Sequence, residues 1–178
     1  MLNYMDEEEH LITDEDLVKK VVGKNYPIIG EVPAIILTNP KYPRNLGSAI
    51  RAASCFGVNQ IWYTGNRIQL DSKERLPREE RMKGYKHVQL INFDYPFDQF
   101  PSDTPFVAME FRDNSESLFT FNHPKNAVYV FGPEDGSISQ VFMRHCHRFV
   151  IIPTNYCTNL AAAVYITLYD RVMKQNTQ

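Results

Sequence analysis

From residue 33 onward, short apolar runs rich in β-branched and aromatic residues alternate with stretches of helical or mixed patterning, and this alternation constrains the fold more than any other feature. The runs fall at 34–38, 60–64, 87–92, 106–110, 127–131 and 149–152. Between most of them lie the helical or mixed stretches 45–56, 72–85, 95–100 and 137–146, and a final helix is expected over about 159–174. Brief apolar runs bounded by turn formers read as strands. Strands alternating with helices read as an α/β domain with a mainly parallel sheet. The 11 prolines sit mostly at strand–loop junctions, outside the periodic segments. Before residue 33 the chain differs: residues 1–12 are acidic, and Thr13 with Asp16 three residues on resembles a capping box opening a short helix that stops at Gly23.

A chain of 178 residues with 43% apolar and 22% charged content predicts one soluble domain, or one domain with a short extension. It can bury a core without disulfide or metal staples. No apolar run approaches the roughly 20 residues that span a bilayer, and the acidic N-terminus lacks the basic-then-apolar pattern of a signal peptide. Three cysteines (Cys55, Cys146, Cys157), an odd count without C-x-x-C spacing, signal neither a disulfide framework nor a zinc site. The expectation is a reducing, cytoplasmic setting. His145-Cys146-His147 raises the question of a metal, but adjacent residues on one element point in different directions and no second ligand pair is near, so none is expected. The net charge of −2 at first argues against a polyanionic partner. The charge is unevenly spread, however: residues 1–20 hold seven acids and two lysines, and the other 158 residues carry a net +3.

Two helices carry more detail. In the first, Leu46, Ala49, Ile50, Ala53 and Phe56 form a stripe that should meet the sheet, and Asn45 stands where an N-cap is expected. Arg51 falls on the opposite side with Arg44, Ser48 and Cys55, facing solvent, a ligand or a partner subunit. The last helix is apolar almost all round from Leu160 to Leu168, which predicts burial on every side, inside the chain or beneath a second copy.

In an open α/β sheet, ligands bind beyond the carboxyl ends of the strands. The segments following the first, fifth and sixth runs (39–47, 131–136 and 152–159) are rich in turn formers and polar groups. None is a dinucleotide fingerprint or a P-loop. Glu134 has a plain reading, as an acid favouring the dipole of a helix opening near Ser137.

Taken together, these segments resemble the SpoU family of RNA ribose 2′-O-methyltransferases, within the SPOUT superfamily. The first motif is Asn45-Leu46-Gly47-Ser48-Ala49-Ile50-Arg51, ending in Phe56-Gly57-Val58. The second is Phe131-Gly132-Pro133-Glu134. The third is Ile152-Pro153, then Cys157-Thr158-Asn159-Leu160, Ala161-Ala162-Ala163 and Leu168-Tyr169-Asp170. The resemblance covers residues 33–175, leaving 1–32 as an acidic extension with a short helix and 33–178 as the methyltransferase domain. It implies an α/β fold whose C-terminal segment threads a deep trefoil knot, and a homodimer through the last helix. It implies S-adenosylmethionine held by Met109, Glu110, Gly132, Ile152, Cys157, Thr158 and Leu160, and methyl transfer to a ribose 2′-hydroxyl of tRNA or rRNA. By the same resemblance Arg51, Asn45, Glu134 and Asn159 are the catalytic residues, with Arg51 positioning the ribose or a phosphate, because a guanidinium is a poor base. The chain departs from the family where Cys157 replaces a serine and Ala161 a small polar residue. RNA contact is expected from Arg44 and from the basic segment 66–88, through Arg75, Arg78, Arg81 and Lys83. The competing reading is a non-catalytic RNA-binding or assembly factor on the same fold.

Overall fold

A parallel sheet is stable only when helices or loops cover both of its faces, so its central strands must be apolar on both sides. The computed structural model describes residues 30–68 and 87–176 and shows this arrangement. Seven strands, β1 (Ala34–Leu37), β2 (Gln60–Tyr63), β3 (Gln89–Asn92), β4 (Phe106–Met109), β5 (Glu116–Ser117), β6 (Val128–Phe131) and β7 (Arg148–Ile151), form one sheet in the order β3-β2-β1-β6-β4-β7-β5. Each of its six pairings is parallel. β1, β2 and β6 are buried at every residue.

Period-two alternation divides the core. Ile35, Leu37, Ile61, Tyr63, Tyr129 and Phe131 face one layer, while Ala34, Ile36, Trp62, Val128 and Val130 face the other. Helices α1 (Pro43–Cys55) and α3 (Leu160–Asn176) pack on the first face through Leu46, Ala49, Ile50, Leu160, Val164 and Leu168. The second face is covered by a 3₁₀ turn (Pro96–Gln99) and the one-turn helix α2 (Gln140–Met143).

Several expectations are corrected. α1 begins at Pro43, with Tyr42 at the N-cap, so Asn45 lies inside the first turn and caps nothing. Proline suits this opening, because its missing N–H has no intrahelical partner there. The stretch 95–100 tightens to a 3₁₀ turn, and 137–146 contributes only four helical residues, started by Ser139 capping Phe142 N–H. β5 was absent from the expected strands. Within Leu160–Leu168 a single chain leaves Ile166 38% exposed, so the chain alone does not cover this stretch on every side. Residues 13–22 and 72–85, expected helical, lie outside the described residues. No described helix is long and apolar enough to cross a membrane.

A buried polar relay straps α3 to the segment before β6. The Tyr129 hydroxyl is held well above its ordinary pKa by burial, so it keeps its proton and donates to His123 Nδ1 (2.6 Å). His123 Nε2 meets Asp170 Oδ2 (2.8 Å), which also pairs with Lys174 (2.7 Å). The neutral imidazole serves both neighbours at once. Burial lowers the His123 pKa, the Asp170 carboxylate offsets only part of this, and Lys174 and Arg171 reinforce the decrease. Between that lowered value and the unfolded value near 6.5, the unfolded chain binds more protons, so stability rises with pH through this window. Thermal melts between pH 5.5 and 7.5 should show stability falling as the pH drops below about 6.5, and His123→Gln should flatten that slope. Equal slopes for the two proteins would overturn the assignment.

Candidate active site

The chain runs β1–β2–β3 toward one edge and then crosses to place β4 beyond β6. β1 and β6 are therefore neighbours at the point where strand order reverses, where open α/β sheets bind ligands. The segment entering α1, the loop after β6 and the start of α3 meet here.

A short chain of hydrogen bonds joins them. Asn45 Nδ2 donates to Glu134 Oε1 (2.7 Å), and Asn159 Nδ2 donates to Asn45 Oδ1 (3.1 Å). Asn159 Oδ1 accepts from Ala161 and Ala162 N–H (2.9 and 3.3 Å), which caps α3. Glu134 also accepts the Lys41 N–H (2.7 Å) and the Tyr42 N–H (3.3 Å). Its plain reading is thus corrected: no helix opens at Ser137, and the carboxylate sits at the N-terminus of α1 instead. There the helix dipole also favours negative charge. Burial opposes that charge, but the Asn45 amide and the backbone N–H groups outweigh it and hold the Glu134 pKa below its ordinary value.

The neighbouring Asp135 is an anchor that the sequence did not signal. Arg67 grips it with both guanidinium ends (2.9 and 2.8 Å), and Lys41 Nζ adds a third contact (3.1 Å). Arg67 first and Lys41 second hold the Asp135 carboxyl far below its ordinary range. Arg67 also donates to Asn39 O (3.3 Å), so its charge is engaged in loop structure and is not a free part of the basic segment 66–88. Asn39 adopts a left-handed backbone (φ 46°), and a Cβ on Gly65 (φ 77°) would lie 2.4 Å from Asn39 Oδ1. The two turns fit only because residue 65 is glycine.

On the other side of β6, the loops after β4, β6 and β7 meet. Glu110 Oε2 accepts the Ile138 N–H (3.0 Å), and Glu110 N–H bonds Val150 O (3.1 Å). Met109 and Ile152 pack against the first core layer beside buried Leu160. Met109, Glu110, Gly132, Ile152 and Thr158 are half-buried, and Cys157 is exposed with a free thiol. Around Gly132 the loop is tight, since a Cβ there would lie 3.2 Å from Ile138 N.

Of the expected catalytic residues, Asn45, Glu134 and Asn159 are brought together. Arg51 lies further along the same helix, half-buried and away from the apolar stripe. It lies six positions on from Asn45, about 9 Å along the axis. Arg44 is exposed, with its guanidinium 5.1 Å from the Tyr42 ring. Arg75, Arg78, Arg81 and Lys83 lie outside the described residues.

Residues 33–169 match the sequence model of the SpoU rRNA Methylase family. The chain belongs to that family. Its relatives include the tRNA (cytidine-2′-O-)-methyltransferase TrmJ of Methanocaldococcus jannaschii, 26% identical over 159 residues, which cover 80% of this chain and 68% of TrmJ. Among solved structures, the SpoU methyltransferase AviRb of Streptomyces viridochromogenes, in complex with AdoMet, superposes with a TM-score of 0.69 at 18% identity. That match covers 85% of this chain but only 60% of AviRb. A protein solved in work on 2-OH methylation of C/U34 on tRNA superposes at 0.68 and 19% identity, covering 82% of this chain and 97% of that one. At such identities the SpoU neighbours show a shared fold.

Proposed function

We propose that this SpoU-family chain transfers the methyl group of S-adenosylmethionine to a ribose 2′-hydroxyl of tRNA or rRNA. The observation that carries the reading is the Asn45–Glu134–Asn159 bonding, which draws three segments separated by 89 and 114 residues into one site. The TrmJ and C/U34 relatives support a tRNA nucleotide as acceptor.

The residues present fit the donor. Half-buried Met109 and Ile152, beside Leu160, offer apolar contact, while Gly132, Thr158 and the loop around Cys157 offer backbone donors and acceptors. The Glu110–Ile138 bond holds two of these loops together. When bound, the donor supplies a methyl group already activated by its sulfonium. The protein's task is then alignment and proton loss. Asn45 and Asn159, locked by Glu134 and by the α3 cap, fix the start of α1 against the start of α3. That placement orients Arg51, whose guanidinium suits the oxygens of a ribose or adjacent phosphate. Transfer would exchange the donor's S–CH3 bond for the new C–O bond, leaving the donor as a neutral thioether, with the hydroxyl proton released to solvent.

In this reading the segment after β7 threads the family's trefoil knot. The exposed side of α3, with Tyr165 and Tyr169 edge-on to Phe56 (6.2 and 6.3 Å), seats a second copy. That copy brings Arg51 of one protomer toward the donor loops of its partner.

The test is calorimetric titration with S-adenosylmethionine, followed by tritium transfer from labelled donor to total tRNA and to rRNA and mapping of the modified nucleotide. Saturable donor binding with label on a ribose is expected. Donor binding without transfer to any RNA would favour the assembly-factor reading, and label on a base would refute the 2′-hydroxyl assignment.

A further inference from the structure

Asp135 stands beside Glu134 but outside the Asn45–Glu134–Asn159 chain, and the loops after β1, β2 and β6 converge on it. The two ends of the Arg67 guanidinium meet its two oxygens at 2.9 and 2.8 Å, and Lys41 Nζ meets Oδ2 at 3.1 Å.

The arm that carries Arg67 is itself anchored. Its backbone runs between buried Thr64 and buried Ile68. Gly65, two residues earlier, is tied to the end of β3: its N–H donates to Asp94 Oδ1 (3.0 Å), and its carbonyl accepts from Asn92 Nδ2 (3.1 Å). Arg67 Nη1 also donates to Asn39 O (3.3 Å), and Asn39 N–H donates to Thr64 Oγ1 (3.0 Å). The loops after β1 and β2 are thus locked to each other as well as to Asp135.

Lys41 connects this clamp to the site. Glu134 Oε2 accepts its backbone N–H (2.7 Å), while Asp135 holds its ammonium. Two consecutive acids grip one residue at both ends, which fixes the peptide carrying them against the first turn of α1. The chain on either side is permissive, with Gly132 before the pair and Gly136 after it. Glu134 without the clamp would have to hold its own loop as well as Asn45. An isolated exposed ion pair contributes little to stability. A guanidinium fork with a second cation does something else: it fixes geometry.

We propose that Arg67 and Asp135 are positioning residues for the methyl transfer proposed above, on which this role rests. Neither touches donor or acceptor. The clamp holds Glu134, and through it Asn45, in the arrangement that aligns the acceptor, and a small misplacement there is costly in rate.

Asp135→Asn and Arg67→Gln nearly preserve side-chain size, and the two side chains are 45% and 28% exposed, so both variants should fold. Each should lower kcat about tenfold, with the KM for RNA and calorimetric S-adenosylmethionine binding within about twofold of wild type. Both variants break one clamp, so the pair together should lose no more than either alone. In a Glu134→Ala background, Asp135→Asn should cost less than about twofold, because the group it positions is already gone. Hydrogen exchange on the full chain without RNA reads the clamp apart from activity. The Lys41 and Tyr42 N–H groups, which bond Glu134, should exchange about tenfold faster in Asp135→Asn, with core amides unchanged. Losses that multiply across Glu134→Ala and Asp135→Asn, or unchanged exchange at Lys41 and Tyr42, overturn the proposal. Absence of methyl transfer by the wild type refutes the reaction and this role with it, whereas transfer that both variants leave intact refutes the role alone.

Discussion

Replacing Arg51 with alanine is expected to lower methyl transfer to RNA by about 100-fold while leaving donor affinity within about twofold. The asymmetry follows from placement. Arg51 sits on α1, whereas the residues proposed to hold the donor lie mainly on the loops after β4, β6 and β7. A group that aligns the acceptor and contacts no part of the donor should lower kcat, or kcat with the KM for RNA, and leave calorimetric donor binding intact. Arg51→Lys should recover only part of the loss, since an ammonium offers a point charge where the guanidinium offers a planar fork. Arg51 is half-buried with its Nε shielded from solvent, so truncation also removes some packing of its stem, and melts of the variant should accompany the transfer assay. Transfer by Arg51→Ala within threefold of wild type would remove Arg51 from the mechanism.

Glu134→Ala should damage both stability and activity. One carboxylate accepts the Asn45 amide and two backbone N–H groups. Hydrogen bonds to a charged acceptor contribute about 1.5–3 kcal/mol each, but these share one partly exposed group and do not add. A net loss of about 2–3 kcal/mol is expected, or roughly 5–10 °C in Tm for a chain of this size. Activity should fall at least about tenfold, because Asn45 loses the contact that fixes it against Asn159. Glu134→Gln keeps one acceptor oxygen and should lie between alanine and wild type. The sign with pH is definite: the native Glu134 pKa lies below its ordinary value of 4.5, so the contribution is present at neutral pH and is lost as pH falls through that lower native value. Acid melts of wild type and Glu134→Ala should therefore converge; a gap that stays constant down to pH 3 would show that charge plays no part.

Much of the sheet was legible because parallel strands buried on both faces are written as plain apolar runs, and Ala34–Leu37, Gln60–Tyr63 and Val128–Phe131 stand out as such. β5 was not, because Glu116 and Ser117 are polar and join the sheet at its edge, where Arg148 Nε pairs with Glu116 (2.7 Å). Asn45, Glu134 and Asn159 could be picked out by motif, but their roles could not. Asn45 looks like an N-cap because asparagine favours that position, yet Pro43 opens the helix two residues earlier and turns the amide into the site. Glu134 looks like the acid of the following helix, but tertiary contact hands it to α1. The grip of Arg67 on Asp135 joins residues 68 apart with no local pattern, so nothing in the sequence announced it.

The place of β6 has a consequence for how the molecule is made. Thr38 and Phe131, bonded across the centre of the sheet, are 93 residues apart. The sheet therefore cannot grow by adding each new strand to an outer edge. β1–β2–β3 can assemble early, but the inner edge of β1 stays unpaired until β6 arrives and slots between it and β4. Closing such long loops slows folding, and an open strand edge invites association with other chains in the interval. Cooler synthesis and dilute refolding should therefore raise the yield of native protein. Because the Asn45–Glu134–Asn159 bonds need that strand and α3 in place, these three residues come together only after the long loops have closed.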